Sequence, residues 1–149
     1  MDPHPENTRD AAVIVARDAS GLVAILTTRF PKHGGDYLFL PGGRLEPGET
    51  HEEAARRELQ EEAGITASSW QHLGTYTITL NSRARMSLHL AEGLTIGPQQ
   101  LAEGEEDFKL MWWPMADALD AATEGRFLLP GGPLALLLAE RRTASTPAQ

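Results

Sequence analysis

Apolar residues fall in short runs along the chain, each bounded by turn formers. AAVIVA (Ala11–Ala16) and LVAILTTR (Leu22–Arg29) have the apolar, β-branched character of strands, and Asp18-Ala19-Ser20-Gly21 between them predicts a hairpin-type turn. Phe30 to Asp36 reads as a loop, and Tyr37 to Leu40 as a short strand running into Pro41-Gly42-Gly43. The period then changes. Ala54, Ala55, Leu59 and Ala63 recur at helical spacing, Thr50 and Glu53 form a capping box before them, and Gly64 stands where a glycine ends a helix. Trp70 to Leu80 and Met86 to Leu94 read as strands around Asn81-Ser82, and Gly93 to Asp107 as an acidic loop. Lys109 to Trp113 is a strand, Pro114 starts a helix through Thr123, and Gly131-Gly132 leads to a last amphipathic helix, Leu134 to Arg142. Strands mixed with three helices, without regular βαβ alternation, predict an α+β domain: an α/β/α sandwich with a mixed sheet between helices. Residues 1–9 and 143–149 are polar and contain proline, and are expected to be loose ends around a single domain at 10–142.

At 149 residues the chain is long enough to bury a core without cross-links. It has no cysteine, which removes disulfides and thiolate zinc sites and suits a cytoplasmic protein. MDPHPENTRD has neither a basic nor an apolar segment, so no secretory leader is expected. No apolar run reaches the roughly 18 residues of a membrane span. The formal charge of −8 opposes non-specific binding to a nucleic-acid polymer. It does not oppose a nucleotide bound through metal, because the cation offsets the carboxylates locally.

The segment GRLEPGETHEEAARRELQEEAGI, Gly43 to Ile65, concentrates the candidate chemistry. Glu58 and Glu62 are four apart and Glu61 is three from Glu58, so their side chains share adjoining parts of one helix face. Like charges at that spacing destabilise a bare helix by about a few tenths of a kcal/mol per pair. Mg²⁺ or Mn²⁺, which favour carboxylate, carbonyl and water oxygens, would offset the repulsion. Gly42 and Gly43 allow the backbone to approach closely and to present a carbonyl. The carboxylates alone would equally suit a solvated helix face. A solvated face does not explain why Gly43, Glu49, Arg57 and Gly64 stand at fixed offsets from them.

With every fixed position filled, this segment resembles the signature of the Nudix hydrolase family. The resemblance implies an α/β/α sandwich spanning about the whole chain. It also implies Mg²⁺- or Mn²⁺-dependent hydrolysis of a nucleoside diphosphate linked to another moiety, such as ADP-ribose, another nucleotide sugar or a nucleoside triphosphate, releasing a monophosphate. By resemblance Glu58, Glu61 and Glu62 carry the metal, Glu58 also positions or deprotonates water, and the carbonyl of Gly42 completes the inner shell. Glu49 and Arg57 would be a structural ion pair orienting those carboxylates, with Gly43 and Gly64 structural as well. Many members supply one more carboxylate six residues before a tryptophan, followed by proline. Glu106 precedes Trp112 by six and Trp113-Pro114 follows, so Glu106 is the candidate distal ligand or base, with Glu103 and Glu105 as alternatives in a loop that is otherwise solvated.

Trp112 and Trp113 alternate faces of a strand, one expected in the core and the other free to stack on a base or line a dimer surface. Arg29, Lys32 and Arg44 lie near the metal site in sequence and could hold phosphates. Arg83 and Arg85 share one face of the expected hairpin, and for all five an exposed solubilising charge is the alternative. The histidines at 4, 33, 51, 72 and 89 show no ligand spacing and none is assigned. Arg29, Leu40-Pro41 and LAEGEEDFKL resemble ADP-ribose pyrophosphatases, while Leu80 and Gly104 depart from them, lacking a proline and an acid respectively; ILTTR is similar in part to coenzyme A pyrophosphatases. A homodimer is expected by analogy with the family. The rival reading is a Nudix-fold module that binds a nucleotide and regulates a partner without turnover.

Overall fold

The computed structural model describes residues 9–145; the expectations for residues 1–8 and 146–149 lie outside the described residues. The elements follow in the order β1 (Ala11–Ala16), β2 (Leu22–Phe30), β3 (Gly35–Phe39), β4 (Gly42–Arg44), α1 (His51–Ala63), β5 (Ile65–Thr77), β6 (Arg85–Ile96), β7 (Lys109–Pro114), α2 (Met115–Thr123) and α3 (Gly131–Ser145). One sheet has the order β4-β1-β6-β5 and is mixed, β1 running parallel to β6; the other is antiparallel, with the order β3-β2-β7. No described helix is long and apolar enough to cross a membrane.

The Asp18 turn forms as expected. Its carboxylate accepts from the Ser20 and Leu22 amides at 2.9 Å each, and Gly21 takes a φ of 88°. The strands it joins do not pair as a hairpin, however. They part into different sheets and meet only at a bridge between Arg17 and Val23. Both strands are buried on both faces, so each becomes the interior strand of its own sheet, β1 between β4 and β6, β2 between β3 and β7.

Alternation along these strands sorts side chains into two cores. Val15, Val23, Ile25, Leu38, Leu88, Phe127 and Leu136 face α2 and α3, while Ala12, Ile14, Ala16, Ala24, Ala91 and Ile65 face Ala54, Ala55, Leu59 and Ala63 of α1. Helices thus cover both sides, which is the expected sandwich. Trp113 packs toward the first core and Trp112 toward the second, and both rings are half-buried, each leaving part of its surface open.

Several boundaries move for a physical reason. β5 begins at Ile65, directly after the helix cap, and not at Trp70, because it is an edge strand whose outer side chains meet water; its polar stretch is paired to β6 by backbone bonds, not by apolarity. β6 runs to Ile96, which shortens the acidic loop to residues 97–108. Pro114 caps α2 from outside, and α3 extends beyond Leu134–Arg142 at both ends.

Gly64 sits at φ 70° with its amide donating to the Gln60 carbonyl at 2.9 Å, and a Cβ there would run into the Gly97 carbonyl and Pro98. Gly64→Ala is therefore expected to cost about 2 kcal/mol while leaving the fold intact. Urea unfolding checks this; a stability equal to wild type would contradict the crowding.

Candidate metal and active site

The site is built on α1. The Thr50 hydroxyl accepts from the Glu53 amide at 3.1 Å and the Glu53 carboxylate accepts from the Thr50 amide at 2.9 Å, which starts the helix at His51. The alanine stripe then lays the helix close to β1 and β4, and this pulls two of the three carboxylates inward. Glu58 and Glu62 are 9% and 5% exposed, while Glu61 stands at the margin. Burial pushes Glu58 up to about 7, opposed by Arg57 and reinforced by Glu61 and Glu105. Burial pushes Glu62 up to about 9, opposed by the Gly42 amide and reinforced by Glu58 and Glu105.

The paired glycines face these carboxylates. The Gly42 amide donates to Glu62 Oε1 at 2.9 Å, and a Cβ on Gly43 would collide with Glu58 Oε2. Gly43 is required by space, since the Glu58 carboxylate lies over its Cα. Gly42 is wedged from the other side, where a Cβ would strike the Ala12 carbonyl of β1.

Arg57 gathers the acids. Its Nε and Nη2 fork onto Glu49 at 2.7 and 3.0 Å, and Nη2 also donates to the Arg44 carbonyl at 3.1 Å. Its Nη1 lies 3.3 Å from Glu61, 3.5 Å from Glu58 and 3.7 Å from Glu46. The fork holds Glu49 below the usual carboxylate range and raises the guanidinium further.

The loop at residues 97–108 is fastened to the end of the same helix. The Gly97 amide donates to the Gly64 carbonyl, the Gln100 amide to the Glu61 carbonyl and the Gln99 side chain to the Glu62 carbonyl, each at 2.7 Å. Sequence reasoning missed these three residues. A helix end needs partners for its last carbonyls, but nothing in the spacing says which distant residues supply them. In this loop Glu105 is half-buried and accepts from the Ala102 amide at 3.1 Å, while Glu106 is exposed and accepts from the Gly104 amide at 2.9 Å. Arg44 stands exposed beside Arg57, whereas Arg29 is exposed on β2 in register with Asp36 of β3; Lys32 lies exposed in a short 3₁₀ turn. Arg83 and Arg85 are exposed too.

Among the described residues no three carboxylate or imidazole groups stand ready in metal-ligand geometry. Glu58 and Glu61 lean on Arg57, and Glu62 on the Gly42 amide. The donors nevertheless fit a hard cation. They are carboxylates on one helix face, two of them desolvated, lying directly on glycine backbone.

Two outcomes follow for the metal-free protein. Raised carboxylates contribute stability that is complete below their ordinary value near 4.5 and is lost as pH climbs through about 7 for Glu58 and about 9 for Glu62. The Tm in chelator is therefore expected to fall from pH 5 to 9, with the fall flattened in Glu62→Gln; a Tm that rises across this range would contradict it. Arg57→Ala is expected to cost about 2–3 kcal/mol by stranding Glu49, while Arg56→Ala, which breaks an exposed pair with Glu52, costs about 1 kcal/mol or less. Chemical denaturation of both variants checks the contrast.

The sequence profile of the NUDIX domain matches residues 7–129. The chain is 32% identical over 121 residues to the ADP-ribose pyrophosphatase of Mycobacterium tuberculosis, covering 79% of this chain and 58% of that protein. It is 31% identical over 121 residues to the 8-oxo-(d)GTP phosphatase of Mycolicibacterium smegmatis, covering 75% and 36%. It spans less than two thirds of the length of these curated relatives. A crystal structure of an ADP compounds hydrolase has the same fold, with a TM-score of 0.79 over 91% of this chain and 72% of that one at 23% identity. A domain profile that runs through most of the chain, on a fold shared with that hydrolase, makes this protein a member of the Nudix family.

Proposed function

We propose that the chain hydrolyses a nucleoside diphosphate linked to another moiety, with a divalent metal, and releases a nucleoside monophosphate. The observation that carries the reading is the burial of Glu58 and Glu62 side by side against Gly42 and Gly43, with Glu61 and Glu105 beside them. Buried carboxylates stay ionised only beside compensating charge, and among the described residues Arg57 is the cation within 4 Å of Glu58 and Glu61.

Glu58, Glu61, Glu62 and the Gly42 carbonyl would hold Mg²⁺ or Mn²⁺. When bound, the cation neutralises phosphoryl oxygens and lowers the pKa of the attacking water. Glu58, lying over Gly43, is the carboxylate set to take the proton of that water. Water oxygen bonds to phosphorus, the bond to the bridging oxygen breaks, and the displaced phosphate leaves with the electron pair. Glu105 is proposed as the distal acid in place of Glu106, because its charge already acts on the helix carboxylates. Arg44, beside Arg57, suits a phosphate better than Arg29 does. Phe39 of β3 and Phe108, edge-to-face at 4.9 Å, with the Phe108 amide donating to the Glu105 carbonyl at 2.9 Å, present aromatic surface on which a base can stack.

The relatives named for ADP-ribose and for 8-oxo-(d)GTP make these two compounds the first substrates to try. The reading extends to a homodimer in the cytoplasm by family analogy. Monophosphate release from a panel of nucleotide sugars, dinucleoside polyphosphates, coenzyme A and triphosphates, with Mg²⁺, Mn²⁺ or chelator, is the test. Turnover is expected with metal and not with chelator. Glu58→Gln, Glu61→Gln and Glu62→Gln should lose about a hundredfold or more while remaining folded. Glu105→Gln should lose about tenfold and Glu106→Gln about twofold at most. Near-normal turnover in Glu58→Gln and Glu62→Gln would sink the reading, and tight nucleotide binding without turnover would replace it by a binding module.

A further inference from the structure

The first residue of α1 is tied into a buried polar chain that the acidic site does not use. His51 Nε2 lies 3.0 Å from Asp10 Oδ2, His51 Nδ1 lies 2.6 Å from Ser87 Oγ, and Ser87 Oγ lies 2.8 Å from His89 Nε2. Asp10, Ser87 and His89 are 9%, 1% and 5% exposed. The proton order follows from the chemistry of the groups. With His51 neutral, Nε2 carries the hydrogen given to the Asp10 carboxylate and Nδ1 accepts from the Ser87 hydroxyl. Ser87 has one hydrogen to give, so it accepts from His89 Nε2; the other acceptor near it, the Ala11 carbonyl, is at 3.5 Å. Each link then has one donor and one acceptor. Burial, with His72 and His51 nearby, pushes His89 down to about 4, which keeps it neutral in this chain.

Aspartate, histidine and serine in contact invite comparison with a hydrolytic triad. The geometry opposes it. In serine hydrolases the carboxylate binds Nδ1 and the serine Nε2, which is the reverse of the order here, and Ser87 is closed to substrate.

The chain does connect the parts that position the acidic site. Asp10 accepts from the Arg85 amide through Oδ1 at 2.9 Å, and its backbone carbonyl accepts from the Leu45 amide at 2.9 Å, just past β4. One residue thus joins the start of β6, the end of the glycine strand and the first turn of α1. Ser87 and His89 reach the helix because they alternate with Leu88 and Leu90, which face the other core. The contact they reinforce is smooth. Seven of the eleven buried residues in the core under α1 are alanine, and alanine side chains interlock little along a helix axis. Directional hydrogen bonds at one end, and the loop at residues 97–108 at the other, are what resist sliding or rolling.

We propose that Asp10, His51, Ser87 and His89 form a positioning network that sets the axial and rotational place of α1, and so the fit of Glu58 over Gly43 and of Glu62 on the Gly42 amide. The kinetic part of this inference rests on the hydrolase reading; the structural part does not.

The test uses Ser87→Ala, His51→Leu and His51→Gln, the last retaining one donor and one acceptor. Steady-state kinetics are measured at saturating Mg²⁺ and below each variant's unfolding transition, and amide exchange at Gly42 is followed by NMR in the metal-free protein. Ser87→Ala and His51→Leu are expected to lower kcat about tenfold or more with KM changed about threefold at most, as a displaced reacting group would. His51→Gln should recover much of the loss, and Gly42 should exchange faster in the first two variants. A network that only stabilises the fold would lower Tm and leave both kcat and Gly42 exchange at wild-type values, and that result overturns the proposal. If wild type hydrolyses nothing on the panel, the hydrolase reading fails and Gly42 exchange alone decides: unchanged protection overturns the network, and lost protection supports it. If Ser87→Ala does not fold, the His51 pair gives the same two answers.

Discussion

Negative charge has to be concentrated on α1 without unwinding it, and the Arg57 guanidinium makes this possible. It stands within 4 Å of Glu46, Glu49, Glu58 and Glu61 at once. Its bidentate fork on Glu49 leaves one nitrogen, Nη1, toward the acidic face. A lysine could neutralise one of these groups, but its ammonium has no planar fork to hold a fixed direction. The arrangement is firm on the Glu49 side and loose on the other, at 3.3 and 3.5 Å. Acids held so loosely are free to turn to a stronger cation.

The glycine strand supplies the opposite wall. Gly42 and Gly43 are pressed between the Ala12 carbonyl on one side and the carboxylates of Glu58 and Glu62 on the other. Buried carboxylates are costly, and here much of the cost is unrelieved, as the rise of Glu62 to about 9 records. The fold accommodates it because α1 is anchored at both ends: at its first residue by the His51 contacts with Asp10 and Ser87, and at its last turn by the loop bonds. Stability held in those places offsets the cost of burying Glu58 and Glu62.

Much of this architecture was legible in the chain. The helix from Thr50 to Gly64 has its cap, stripe and stop signal within fifteen consecutive residues, and the structure has the helix between those residues. The Asp18 turn and the three helices were equally local. The pairing of β1 and β2 was not, because a strand apolar on both faces fits the interior of either sheet, and only competition among all seven strands assigns its neighbours. The start of β5 was missed for the converse reason: an edge strand is held by backbone bonds that leave no apolar trace.

The sequence by itself determined which groups share the helix, since fixed offsets force Glu58, Glu61 and Glu62 onto adjoining parts of one face and place Arg57 where it reaches back to Glu49. Tertiary structure decided everything that depends on distant segments meeting. It fastened the loop at residues 97–108 to the end of α1 through Gly97, Gln99 and Gln100, bonds that no spacing in the chain announces. It brought Asp10, His51, Ser87 and His89 together, Asp10 reaching His51 across 41 positions of chain and His51 reaching Ser87 across 36. Helical spacing is a short-range geometric constraint and can be read from one segment, whereas a hydrogen bond between segments exists only once the sheets have closed and removed the water that would otherwise take its place.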